Sequence, residues 1–344
     1  MIIDLTNLNN WEREIVYSFS VLPLNYYALP ELFEIFQIDK TECAAFFDTI
    51  HDLSSKELLI RQKDLYSIRE VVRETVLETY CPEPEQIATI IDYFSKRLEA
   101  NQLDYQEEFL PIYNKLKSVI QKVSGNTFHL AQLSYLLSTN LIKYQQYEDA
   151  LLYNQRAIQI SEAIDSKHPI VALFYRDKAY IYKKLGDTVN AIFYSLKDIE
   201  ILEKHAGKYD DLLPDSYFAL SKTYEGIQNY EKAVEYNLKA INFEKKRKRK
   251  KSLSISGLYH NLAYCYVKQN KLKDASLFIN KAVETFESEN HASNKDYKLL
   301  LRDQKRFNSL FEFEQFILKY KRLMLVAAGL FLVILIWAII NLLR

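Results

Sequence analysis

Glycine, proline, cysteine and methionine are all scarce in this chain of 344 residues, at 6, 7, 3 and 2. Glycine and proline together make up about 4% of the residues, against roughly 12% in average usage. Sheets with tight hairpins and glycine-rich phosphate loops need more of this punctuation, so the composition points to helices. No Gly-x-x-x-x-Gly-Lys-Ser/Thr occurs anywhere, so the chain lacks the backbone cradle that holds a nucleotide's phosphates. Cys43, Cys81 and Cys265 lie far apart, without Cys-x-x-Cys spacing. They form neither a disulfide framework nor a zinc site, and they suit a reducing compartment as small apolar side chains. Net charge is missing too: 45 Lys+Arg balance 45 Asp+Glu, which argues against a generally basic nucleic-acid binder. His-Glu-x-x-His and Gly-x-Ser-x-Gly are absent, and the 6 histidines are scattered. No enzyme activity, cofactor, metal site or small-molecule substrate is expected.

The charge balance conceals an asymmetry. Residues 1–126 hold 21 acidic and 12 basic side chains, whereas residues 127–344 hold 24 and 33. From Leu323 to Ile340 the sequence reads LMLVAAGLFLVILIWAII, without a charged or strongly polar side chain. With Asn341 to Leu343 it makes about 30 Å of helix, the thickness of a bilayer core. The segment 323–343 is therefore expected to be a single transmembrane helix. Lys319, Lys321 and Arg322 flank its start, and only Arg344 follows it. That asymmetry predicts a cytoplasmic body, a C-terminus outside and a tail-anchored, single-pass topology, since the first residues show no signal peptide.

Internal repeats organise the middle. Four segments align without gaps on Ala150, Ala191, Ala233 and Ala275, at spacings of 41, 42 and 42 residues. Twelve residues earlier stand Ser138, Ala179, Ser221 and Ala263, and seven residues later Ala157, Asp198, Ala240 and Ala282. Small side chains at these points let two helices approach, and Asp198 is the exception. Polar turns separate the helices at Gln145-Gln146, Gly186-Asp187, Gln228-Asn229 and Asn270-Lys271. A fixed period of this length marks an α-solenoid. The pattern resembles the tetratricopeptide repeat family in a longer variant near 42 residues, over about 127–290. That resemblance implies a concave face, formed by the first helix of each pair, that binds a protein or peptide. Residues four apart on those helices should line it: Tyr135 and Thr139; Arg176, Tyr180 and Lys184; Phe218 and Lys222; His260, Tyr264 and Lys268. Aromatic and basic side chains together favour an acidic partner.

The run Lys245, Lys246, Arg247, Lys248, Arg249, Lys250, Lys251 falls where the third repeat meets the fourth. Seven like charges repel one another within a helix, so a solvated loop is expected, with an anionic lipid surface as its contact.

The first 80 residues read as helix (Trp11 to Phe19), turns at Pro23 and Pro30, helix from Glu31, and a capped helix from Thr41. Strands at Glu57–Arg61 and Leu65–Ile68 and a helix at Arg69–Tyr80 follow. This order resembles the winged-helix segment of bacterial STAND ATPases of the NB-ARC type, and 85–123 resembles their helical connector. Where that family carries a nucleotide-sensing histidine, this chain has Arg69. The resemblance thus implies the scaffold, and a separate ATPase as a candidate partner. Thr41–Ser55, the helix that would read DNA, holds Glu42, Asp48 and Asp52 but no lysine or arginine. Residues 1–80 count 14 acidic against 7 basic side chains, so nucleic acid is disfavoured as a ligand.

The expected fold is all-α with a minor β hairpin. It comprises a winged-helix-like domain at 1–80, a helical connector at 81–126, a solenoid of tetratricopeptide helix pairs at 127–290, a capping helix at 295–320 and the span. The expected function is a membrane-tethered adaptor or scaffold for a protein partner. A signal-gated membrane effector acting through its span, and a winged-helix transcriptional regulator, are the alternatives.

Overall fold

Asn9 and Glu12 start the first helix by capping each other. Asn9 Oδ1 accepts the Glu12 N–H at 2.9 Å, and Glu12 Oε2 accepts the Asn9 N–H at 2.8 Å. Two backbone donors that a helix start leaves open are satisfied in this way. The computed structural model describes residues 3–99, 103–123, 125–205, 207–246, 254–288 and 295–342, with the backbone alone at 295 and 334–342. The chain divides into two compact units, Met1–Tyr194 and Ser195–Arg344.

The first unit opens with α1 (Asn10–Val21), β1 (Tyr27–Ala28), α2 (Leu29–Ile35), α3 (Cys43–Ser55), β2 (Leu59–Gln62) and β3 (Leu65–Ile68). The strands form an antiparallel sheet in the order β1-β3-β2, with Tyr27 opposite Tyr66 and Leu59 opposite Ile68. The expected hairpin is present, but its first strand starts at Leu59, because Glu57 adopts a left-handed conformation (φ 60°) that ends α3. Helix α3 begins at Cys43 without a side-chain cap, two residues beyond the expected Thr41. Helix α4 (Glu70–Thr75) runs into a π-helical turn at Val76–Tyr80. The connector consists of α5 (Ala88–Glu99) and α6 (Leu110–Lys122).

One hydrophobic core runs from Ile3 through Phe19, Phe46, Tyr66, Phe94, Phe109 and Leu133 to Ile181. Full burial of each such side chain contributes about 1.5–3 kcal/mol. Head, connector and the first helix pair, α7 (Phe128–Lys143) with α8 (Tyr147–Asp165), therefore share this core. Helix α9 (Ile170–Lys184) follows in the same unit, and α10 (Thr188–Lys204) contains the unit boundary. The second unit holds α11 (Leu213–Gly226), α12 (Tyr230–Lys246), α13 (Ile255–Lys268), α14 (Leu272–Ser288) and α15 (Lys295–Leu342).

The helix pairs turn alike. Gln145, Gly186, Gln228 and Asn270 sit in the left-handed region, with φ of 61°, 83°, 62° and 58°. The next residue's N–H (Gln146, Asp187, Asn229, Lys271) reaches back to the carbonyl of Leu141, Tyr182, Tyr224 or Tyr266, in each case at 2.9 Å. This hydrogen bond closes the helix end by a Schellman-type arrangement. Ala150, Ala191, Ala233 and Ala275 are fully buried. In two pairs the opposing small residue adds a bond: Ser138 Oγ donates to the Ala150 carbonyl at 2.8 Å, and Ser221 Oγ to that of Ala233 at 2.7 Å. Asp198 is buried at the position where the other pairs have alanine, at 1% exposure.

The expected capping helix and apolar segment are one continuous helix, α15, of 48 residues. The side chains of 334–344 lie outside the described residues. Among the described residues no helix is long and apolar enough to cross a membrane, so the fold does not show the span expected at 323–343.

Candidate functional site: the faces of the first helices

In the first unit the exposed face of α9 carries Arg176, Tyr180 and Lys184. They stand on successive turns because i and i+4 share a helix face. Tyr180 is 44% exposed, and the Lys184 ammonium lies 5.3 Å from its ring centroid. A cation over an aromatic face gains about 0.5–1 kcal/mol at an exposed site. Arg176 is half-buried. Tyr135 is placed differently from the expectation: its ring packs on Phe174 at 4.4 Å, and its hydroxyl donates to Asp177 Oδ2 at 2.8 Å. It joins α7 to α9 as packing. Burial raises the pKa of Asp177, an effect that the Tyr135 hydrogen bond and the Arg176 charge oppose. This face is therefore cationic and aromatic, beside a carboxylate that ionises less readily than usual.

In the second unit Tyr264 is 38% exposed and Lys268 lies 5.4 Å from its ring centroid, a pairing like that of Tyr180 with Lys184 two repeats earlier. Lys222 is engaged: it pairs with Glu225 at 2.6 Å and donates to Asn261 Oδ1 at 3.0 Å. His260 Nε2 meets Asp303 of α15 at 3.0 Å, so the terminal helix occupies the histidine. Phe218 is half-buried. Of the expected partner-binding residues, Tyr180, Lys184, Tyr264 and Lys268 thus offer exposed side chains, and Arg176 and Phe218 half-buried ones.

Most other repeat tyrosines are structural. Tyr182 stacks on Tyr194 at 5.5 Å, Tyr224 on Tyr236 at 5.6 Å and Tyr266 on Phe278 at 5.5 Å, in register with the repeat. Tyr175, Tyr217 and Tyr259 add a second ring to each stack. The Tyr175 hydroxyl donates to Glu162, and that of Tyr217 to Glu203. Burial, followed by these carboxylate partners, raises both phenol pKa values. In the fourth pair the matching partner is Lys245, whose ammonium lies 5.3 Å from the Tyr259 ring centroid. Sequence reasoning did not show this ladder.

Lys246 lies 5.9 Å from the ring of Phe243, and the rest of the basic run, 247–251, lies outside the described residues. Arg69 pairs with Glu57 at 3.6 Å. In the first unit a cleft of about 550 Å³ is lined by Pro84, Ala88, Ile91, Asp92, Lys96 and His129, among others. Hydrogen bonds from Lys96 and then Gln37 hold the Asp92 carboxyl below its ordinary pKa. Among the described residues no group of three or more His, Cys, Asp or Glu is arranged to hold a metal.

The model of the tetratricopeptide repeat family matches residues 214–247 and 256–288, which are the pairs α11/α12 and α13/α14. The chain carries tetratricopeptide repeats. Among solved structures, the apo form of RapI is similar at a TM-score of 0.56 and 15% identity, over 81% of this chain and 73% of that one. BtubC from P. vanneervenii is similar at 0.49 and 16% identity, over 66% and 86%. A Signal Transduction ATPase with Numerous Domains with a tetratricopeptide repeat sensor, from Pyrococcus horikoshii, gives 0.42 and 15%, over 87% and 52%. No curated protein matches the chain.

Proposed function

We propose that this protein is an adaptor that binds an acidic protein or peptide on the first-helix faces of its repeats and is held at a membrane by 323–343. The observation that carries the binding half is the outward display of Tyr180 and Lys184 on α9, with half-buried Arg176 one turn before them, while the neighbouring tyrosines are consumed in stacking. Tyrosine supplies rigid contact area, and the cations supply steering. The tether is supported by the exposure of every described large apolar side chain from Leu323 to Val333, with no protein packed over them. Such a surface is stable in lipid and costly in water. Lys319, Lys321 and Arg322 at its start favour a body on the cytoplasmic side. The basic run 245–251 adds charge of the sign that anionic headgroups attract, at about 1 kcal/mol per residue near the surface. The acidic head fits protein docking better than DNA, whose phosphates it repels.

The test is affinity capture from detergent-solubilised membranes with the wild type and with Arg176→Glu plus Lys184→Glu. Partners of the wild type should be lost from the charge-reversed chain. An unchanged set of partners refutes the α9 face.

A further inference from the structure

Helix α15 has two distinct sides. On one, Leu300 and Phe307 are buried, Asp303 meets His260, and Asn308 Nδ2 donates to Asn280 Oδ1 at 3.0 Å. About a third of a turn away, at 100° per residue, runs a second stripe: Leu310, Phe313, Ile317, Tyr320, Met324 and Phe331. All six are exposed, Phe313 at 64%. Their spacings alternate between three and four residues, with Ala327 filling the interval between Met324 and Phe331.

Lipid does not cover the upper part of this stripe. Measured from Leu323, the helical rise places Tyr320 about 4.5 Å above the hydrocarbon, Phe313 about 15 Å and Leu310 about 20 Å. The headgroup layer is only about 5–8 Å deep on each side, and an ordinary tilt changes these heights little. Phe313 therefore stands in water unless protein meets it, whereas Leu310, about 20° around the helix from Asp303, borders the side that docks on its own unit.

Resting on the tether proposed above, we infer that this stripe is the contact between two copies of the chain, whose α15 helices pair in parallel. A three-and-four spacing keeps one seam facing a partner in a left-handed supercoil. Two copies tethered in one membrane share orientation and height, which sets Phe313 against Phe313 and Ile317 against Ile317. The flanking positions are compatible: Ser309 comes opposite Glu314, and Phe316 opposite Lys321, so no like charges face each other. Confinement to the bilayer raises the local concentration, which offsets the shortness of the seam above the membrane.

Disulfide trapping tests this in the full chain. Cys43 and Cys81 are replaced by serine; Cys265 is retained, since it is buried and its thiol is pushed up to about 12 by desolvation. Phe313→Cys and Ile317→Cys, reconstituted in liposomes and oxidised, should form covalent dimers several-fold more than Gln315→Cys and Lys319→Cys. Phe313→Asp plus Ile317→Asp should still float with liposomes yet be monomeric by light scattering in detergent. A chain that floats but crosslinks no better at 313 and 317 than at 315 and 319 overturns the pairing and leaves the tether standing. A chain that does not float with liposomes overturns the tether and this inference with it.

Discussion

Replacing Gln228 by glycine should stabilise the second unit, and replacing Gly186 by alanine should destabilise the first. Both residues occupy the same turn, at φ 62° and 83°. A left-handed conformation costs an L-residue about 1–2 kcal/mol, and glycine escapes that cost. Glycine's greater freedom in the unfolded chain returns about 0.5–1 kcal/mol, leaving a net gain of about 0.5–1 for Gln228→Gly. For Gly186→Ala no heavy atom lies within 4 Å of the added Cβ, so no steric clash enters and the loss is the same conformational balance reversed, about 0.5–1 kcal/mol. Gln145→Gly should match Gln228→Gly, whereas Asn270→Gly should gain less, because asparagine tolerates this region better than glutamine. Urea unfolding followed by far-UV circular dichroism measures the effect: a gain of this size moves the midpoint up by roughly 0.3–0.5 M at constant slope. A neutral Gly186→Ala, or a Gln228→Gly that lowers the midpoint, refutes the equivalence of the turns.

Two further predictions concern the packed tyrosines. Burial raises the pKa of Asp177 above its unfolded value, so its ionisation opposes folding; the associated stability is present below the ordinary carboxylate range and is lost as pH rises. Asp177→Asn, which keeps an acceptor for the Tyr135 hydroxyl, should therefore raise the melting temperature at neutral pH and give no gain in acid. Equal gains at both pH values would contradict this. Tyr217→Phe removes the donor to Glu203, a solvent-exposed carboxylate, and should cost about 0.5–1 kcal/mol. A double-mutant cycle with Glu203→Gln should recover most of that cost as coupling.

The repeat was legible because it is written in residue size. Ala150, Ala191, Ala233 and Ala275 mark where two backbones touch, and their spacing sets the helix pairs and turns. The left-handed turn itself was legible only at Gly186, since glutamine at 145 and 228 gives no sign of positive φ. Strand β1, at two residues, is too short to alternate visibly, and it exists because Tyr27 pairs with Tyr66, far along the chain. The shared core of head, connector and first helix pair was likewise hidden, because periodicity reports which face of a helix is buried and not against what.

The candidate site was legible by residue type and misassigned in part by register. A helix face read by i, i+4 spacing cannot separate a tyrosine packed on the next helix from one that points away, because both recur at the same interval. Tyr135 and Tyr180 came from one rule, yet Tyr135 is fixed by Phe174 and Asp177 while Tyr180 is open. Lys222 and Lys184 came from one rule as well, yet Glu225 and Asn261 hold the first. Physical separation comes from the repeat register. Rings at 175, 217 and 259, at 182, 224 and 266, and at 194, 236 and 278 recur in the second, third and fourth pairs and stack on one another, as scaffold positions must when similar neighbours meet. Tyr180 with Lys184 and Tyr264 with Lys268 recur only in alternate pairs and, among the described residues, stack on no other ring, so no packing requirement of the repeat accounts for them. Side chains that interrupt a repeat's own periodicity and face solvent are where a partner's chemistry is read.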